Sequence, residues 1–411
     1  MKSTEGPFLD QGKPEVIPLH LQQGCIPSDG EREVIEVDPS QEWVSLNFIG
    51  AATFKTIVFS IDAHKMWVYE VDGDYIEPQR VDTIHMYVGE RYSVMVKLDQ
   101  PARDYTIRVA DNCLTQVITE YATLRYKGST EHTDTEGVLS YGGQNITDVV
   151  TLDREHLPPY PANPPGKQSD AFHVLHTHRW GSPWKYTMSG GGMYQEDRSA
   201  YAPLLFDPHS VDALNESLII RTKNGTWVDM VIQVGSLPDQ PQEFPHMMHK
   251  HSNKMWKIGA GEGKWNYSSV DEAIAAEPHR FNLENPMYRD TYITSFDGPA
   301  WLVLRYQVTN PGPWLFHCHI ETHLAGGMAV AILDGIDAWP EIPPEYAPDQ
   351  RGHEIGVLPE LAAGNPQISS DAHVKCSPRP EISNDELGKS AYWRSLVLKT
   401  IGFLETLVSD A

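Results

Sequence analysis

Short runs that alternate apolar and polar residues, each closed by turn residues, set the tightest limit on how this chain folds. EVIEV, WVSLNFIG, TIVFSI, KMWVYEV, YSVMVKL, YTIRVA and QVITEYATLRY follow one another between Arg32 and about Lys127. A period of two sends successive side chains to opposite faces, so each run can bury one face as a strand but cannot form a helical stripe. Many short strands at this spacing predict an antiparallel sandwich or barrel. The 31 glycines and 31 prolines of the 411 residues supply the turns that such a fold requires. A second strand-rich unit, carrying SLIIRTK, VDMVIQV, WLVLRYQV and AVAILDG, runs from about Ala171 to Trp339. The expected class is all-β.

Between the two units, Gly128 to Asp170 is rich in Gly, Pro, Asp and Asn, and LPPYPANPPGK reads as a linker. The expected organisation is a β domain over 1–130, a linker over 131–170, a second β domain over 171–345 and an irregular tail over 346–411. Within the tail, Trp393, Leu396, Val397, Ile401, Leu404 and Val408 fall at helical spacing, which predicts one short amphipathic helix.

Charge removes several function classes. Lys plus Arg is 32 against Asp plus Glu at 56, a formal net charge of -24. A nucleic-acid binder needs a basic face, and so does a protein that docks on anionic lipid. Neither partner is expected. The longest apolar stretch, Leu324 to Leu333, is about half the length that spans a membrane. Nothing in the sequence indicates an oligomeric state.

Cys25, Cys113, Cys318 and Cys376 are too scattered for a disulfide framework. Cys318 lies between two histidines and is assigned to a metal, leaving an odd number whose pairing the sequence does not give. The sequons at Asn145, Asn215, Asn224 and Asn266 fit a secreted glycoprotein, although MKSTEGPFLDQGKPE lacks the apolar core of a signal peptide.

The 18 histidines cluster, and the decisive segment is WLFHCHIETHLAGGMAVAIL. On a strand His317 and His319 point one way and Cys318 the other. Past the strand, His323 and Met328 can fold back to the Cys318 side. A second segment, EFPHMMHKHSNKMWKIG, puts His249 and His251 on one face and His246 on the opposite one. Both segments thus predict the same two centres: His246, Cys318, His323 and Met328 in one, and His249, His251, His317 and His319 in the other. One thiolate, two imidazoles and a weak methionine suit copper, whereas a closed zinc site wants four strong ligands. The spacing recurs at His173, His176 and His178, read here as histidines on a surface strand.

HCHIETHLAGGM resembles the C-terminal signature of the multicopper oxidases, the family of laccases, ascorbate oxidases and ferroxidases. FPHMMHKHSNKMWKIG is similar to that family's upstream H-P-x-H-L-H-G-H segment, with Met247 for the usual proline and departures at Lys250 and Ser252. YVGERYSVMV and QPARDYTIRVADN resemble its middle domain, and WKYTMSGGGMY the start of its last. The resemblance implies two tandem cupredoxin-like Greek-key domains and copper as cofactor. It implies type 1 copper on His246, Cys318 and His323 with Met328 axial, type 2 copper on His249, and type 3 copper on His251, His317 and His319. Cys318, His317 and His319 would relay electrons between centres, with Glu321 a neighbouring proton-handling carboxylate. Family members carry further H-x-H pairs in a first domain, whereas His20, His64, His85, His132 and His156 here are isolated. The chain therefore looks like domains two and three of a three-domain protein. The implied activity is laccase-like: phenols of a pigment or secondary-metabolite pathway are oxidised and oxygen is reduced to water, in a secreted protein. The alternatives are a copper-binding electron-transfer protein without oxygen chemistry and a ferroxidase-like metal-ion oxidase.

Overall fold

The computed structural model describes residues 33–53, 55–111, 119–129, 137–140, 142–146, 148–194, 204–207, 211, 214–235, 245–295, 298–344 and the backbone of 403–405. Cys25, Cys113, Cys376, His20, His132 and nearly all of the 346–411 tail lie outside them.

Among the described residues the chain forms two successive pairs of five-stranded sheets. The first pair holds Val34–Val37, Thr119–Tyr126, Asp104–Asp111, Ile57–Ile61 and Ile84–Met86 in one sheet. Its other sheet orders Phe403–Glu405, Trp43–Ile49, Arg91–Lys97, Met66–Val71 and Asp74–Val81. Trp43–Ile49 buries every second residue, as its alternation requires. Ile57–Ile61 is buried throughout, because a central strand is covered on both faces. Each sheet is ordered out of sequence, as in Greek-key sandwiches.

The pairing is antiparallel except at three edges. Val34–Val37, Ala171–His176 and Ile219–Arg221 each run parallel to their neighbour. Each lies far in sequence from the strand it pairs with, so no tight hairpin forces the opposite direction.

The second pair carries the histidine segments. One sheet orders Ala171–His176, Trp227–Val234, Ala300–Gln307, Met255–Glu262 and Tyr288–Arg289; the other orders Ile219–Arg221, Ala329–Asp334, Gly312–Cys318, Met247–Lys250 and Thr291–Ile293. The outer face of the first of these sheets has its own apolar cluster of Val231, Trp256, Ile258, Val270, Trp301 and Val303. That cover explains why Trp227–Val234 and Ala300–Gln307 are buried on both sides.

Two further stretches are placed by the sheets they meet. The stretch read as a linker is laid down against both sheet pairs: Tyr160 N–H donates to the Tyr75 carbonyl at 2.9 Å, and Trp256 Nε1 donates to the Asn163 carbonyl at 2.7 Å. Its prolines hold an extended path whose free backbone groups pair with neighbouring strands. The amphipathic helix expected over Ala391–Val408 lies mostly outside the described residues. Its three described residues, Phe403–Glu405, instead form a strand antiparallel to Trp43–Ile49. A sheet edge presents unpaired N–H and C=O groups, and satisfying them outweighs a helical side-chain period. Among the described residues no helix is long and apolar enough to cross a membrane.

The two sheet pairs meet through charge as well as a continuous apolar core. Arg91 forks onto Asp290, with both N···O distances 2.6 Å. Arg289 reaches Asp72 at 2.8 Å and Glu90 at 3.4 Å. These contacts bring the first pair against the strand end that bears the histidines.

Candidate metal centre

Register builds the site. Met247–Lys250 pairs with Gly312–Cys318 so that His249 faces His317 and Met248 faces Cys318 across the ladder. Residues opposite each other share a sheet face. His249 and His317 therefore lie on one side, and Cys318 on the other.

On the Cys318 side the chain doubles back. Past the strand comes the short helix Glu321–Ala325, then Met328, whose N–H donates to the His323 carbonyl at 3.0 Å. Cys318 N–H in turn donates to the Met328 carbonyl at 3.1 Å. His246 arrives from the other segment, pinned at both backbone groups by Thr294: its N–H donates to Thr294 Oγ1, and its carbonyl accepts from Thr294 N–H, each at 2.9 Å. The result is three converging donors. Cys318 Sγ is 3.5 Å from His323 Nδ1 and 3.9 Å from His246 Nδ1, and the two nitrogens are 3.0 Å apart. All three side chains are buried, as is Met328. Burial, with His246 adjacent, pushes the His323 imidazole down to about 3, so it is neutral and offers a lone pair near pH 7. Lone pairs from one sulfur and two nitrogens facing one point repel unless a soft cation sits among them. That donor set fits copper.

On the opposite face His251 Nε2 lies 3.2 Å from His317 Nε2, and His249 completes a group whose ligand atoms fall within 4.8 Å of one another. His317 Nδ1 is turned to the Cys318 carbonyl at 2.9 Å, which frees Nε2. Burial lowers His317 to about 3, with the neighbouring imidazoles adding to the effect. His319 stands beside this group rather than in it, its ring centroid 5.5 Å from that of His249 and 5.7 Å from that of His317. His251 is exposed and His249 and His319 are half-buried, so this face is open.

Among the described residues, His173, His176 and His178 join neither group. They sit on Ala171–His176 and His178–Arg179, away from the Met247–Lys250 ladder. Glu321 is exposed on the first turn of its helix, and its backbone N–H donates to the Thr53 carbonyl. Sequence reasoning missed the residues that support the ligands. Thr294 fixes His246, Tyr186 packs against His323 with the rings tilted and centroids 4.3 Å apart, and His249 Nδ1 donates to the Asp290 carbonyl at 3.1 Å. No local spacing marks them, because each acts across a long sequence separation.

A tandem β-sandwich protein with one thiolate–imidazole site and one all-imidazole site, back to back on a single strand, belongs to the copper-protein class. Two family models described as multicopper oxidase match residues 12–129 and 165–337. The chain belongs to the multicopper oxidase family. It is similar to multicopper oxidase GIP1 of Gibberella zeae, 66% identical over 100% of this chain and 62% of that protein. It is also similar to laccase ustL of Ustilaginoidea virens, 49% identical over 88% of this chain and 58% of that one. Among solved structures, a laccase from Botrytis aclada superposes with a TM-score of 0.60 at 21% identity, over 78% of this chain and 57% of that chain. At that identity the likeness speaks for the fold. The chain spans about three-fifths of the length of the curated relatives it matches.

Proposed function

We propose that the chain carries the electron-entry site and one wall of the oxygen-reducing site of a laccase-like oxidase. Its substrates would be phenols of a pigment or secondary-metabolite pathway, in a secreted protein. The observation that carries this reading is the back-to-back arrangement: Cys318 converges with His246 and His323 on one strand face, while His317 converges with His249 and His251 on the other. When bound, copper would supply a one-electron couple at the first site and an oxygen-reducing couple at the second. The protein's part is to hold and connect. His246, Cys318 and His323, with Met328 beside them, form a dry thiolate site that would hold type 1 copper; His249 would ligate type 2 copper, and His251, His317 and His319 type 3 copper. Cys318 is covalently continuous with both His317 and His319, the shortest connection between the two sites. Each phenol gives up one electron and its hydroxyl proton, and four such events turn one O2 into two waters.

One observation favours a second reading. The face bearing His251 is open, so within these residues the histidine site has a single wall. A protein holding copper only at Cys318 would transfer electrons without reducing oxygen. Cys318→Ser tests the main reading: the intense blue absorption and the phenol-dependent oxygen uptake of the whole protein should vanish while the circular dichroism is unchanged. Retained uptake would refute the connection through Cys318.

A further inference from the structure

The candidate ligands all come from the second sheet pair, yet the first pair lies against one of them, His319, and against Asp290, which holds another, His249. Gly89 and Glu90 lie in the turn, closed by Glu90 N–H on the Tyr87 carbonyl at 3.2 Å, that leads into Arg91–Lys97. Gly89 adopts φ +87°, and a Cβ added there would lie 2.6 Å from His319 Cδ2 and 2.9 Å from its Cγ. Glycine is therefore required twice, for the backbone conformation and for the imidazole that lies against it. Two residues on, Arg91 forks onto Asp290, and its Nη1 also donates to the Gly89 carbonyl at 3.0 Å. Asp290 and Thr291 are the residues that His249 Nδ1 touches: the Asp290 carbonyl and Thr291 Oγ1 at 3.1 Å each, the Asp290 carboxylate at 3.5 Å. Thr291 Oγ1 lies 3.0 Å from Asp290 Oδ1 and 3.3 Å from the Gly89 carbonyl, closing a ring of contacts between the turn and the strand. The turn itself is stiff. Gly89 N–H donates to the Gly50 carbonyl at 2.7 Å, Gly50 N–H to the Glu90 carbonyl at 2.8 Å, and Tyr87 N–H to Glu90 Oε2 at 2.9 Å. Arg154 and Arg289 pair with the other Glu90 oxygen.

We propose that the Gly89–Arg91 turn is a positioning element for the histidine site, with Arg91 acting through Asp290 to orient His249 and Gly89 providing the space that sets His319. The inference rests on the reading of that site as a metal centre and extends it: a sheet pair that contributes no ligand pre-organises two of them. With Nδ1 of His249 engaged, Nε2 is left as the free lone pair. A locked imidazole binds a metal without first losing rotational freedom. Lysine in place of Arg91 would keep the charge but not the planar fork that holds both carboxylate oxygens.

The test compares the 411-residue protein with Arg91→Ala, Arg91→Lys and Gly89→Ala. The Cys318 site is first filled with one equivalent of copper and followed by its blue absorption, and cobalt(II) titration of that protein then reads the histidine site. Arg91→Ala and Gly89→Ala should weaken cobalt binding at the histidine site about 10–100-fold, and Arg91→Lys by less, with the blue band unchanged. Equal affinity in all four proteins would overturn the proposal. So would a parallel loss at both sites, the mark of a general loss of structure. Crystal structures of the metal-free proteins give a measurement that does not depend on metal. In Arg91→Ala the His249 ring should rotate away from Asp290, and in Gly89→Ala the His319 ring should be displaced; rings left in place would overturn the proposal. If wild type binds no cobalt while the rings move as expected, the metal-centre reading fails and the positioning role stands.

Discussion

At the scale of single residues, burial decides protonation. His317 and His323 are both held near 3, against 6.5 for a free imidazole. Below about pH 6.5 the unfolded chain takes up protons that the folded chain refuses, so stability rises with pH across this window and falls as pH drops toward 3. The metal-free protein should therefore lose on the order of 1 kcal/mol per pH unit for each of the two histidines between about pH 6 and 4. Thermal unfolding of chelator-treated protein at pH 7, 6 and 5 checks this, and a flat melting temperature would contradict it. Lys250, one of the departures from the family segment, is fully buried with its ammonium 2.8 Å from the equally buried Asp334. Thr222 and Tyr306 donate to the other oxygen of that carboxylate at 2.9 Å each. Lys250→Met strands the charge and should cost about 3–5 kcal/mol in urea unfolding. Replacing Lys250 and Asp334 together by apolar residues of similar volume should recover most of that loss, because the pair's mutual attraction only offsets its desolvation.

Among the elements, the connection from Glu321–Ala325 to Ala329–Asp334 carries the thiolate site. Gly327 adopts φ +98°, and a Cβ there would lie 2.7 Å from that of Met193. Gly327→Ala should destabilise the fold by about 1–3 kcal/mol through backbone strain. It should also shift or weaken the blue band, since the same connection sets the Met328 N–H on the His323 carbonyl. A destabilised protein with an unaltered band would show that this connection leaves the ligands alone. The first sheet pair illustrates what local pattern can reveal: the WVSLNFI run predicts which side chains of Trp43–Ile49 are buried, because a strand's faces follow from its own sequence. Phe403–Glu405 shows the limit. Its neighbours have a helical period, but its pairing depends on an edge built more than three hundred residues earlier.

For the whole molecule, the distinction between a closed and an open site becomes a prediction about metal content. The Cys318 site is complete and buried within one sheet pair, whereas the histidine site is open at His251. Purified 411-residue protein loaded with copper and dialysed should keep about one tightly held ion per chain, at the thiolate. It should consume little oxygen with phenols. Full copper occupancy with rapid uptake would mean that the histidine face is closed by residues other than those described.

The sequence by itself determined the strand-rich class, the two histidine segments and their division between two faces. Each of these follows from alternation along a continuous run, and His317, Cys318 and His319 are adjacent in the chain. It could not determine that Met248 stands opposite Cys318, or that His246 Nδ1 comes within 3.0 Å of His323 Nδ1, because ladder register and chain reversal are set by distant partners. Nor could it identify Thr294, Asp290, Arg91 and Gly89 as supports. Arg91 and Asp290 are 199 residues apart and meet only when one sheet pair docks on the other. Ligand identity is carried by side-chain chemistry in short segments, while ligand geometry is imposed by long-range packing, and that packing exists only in the folded chain.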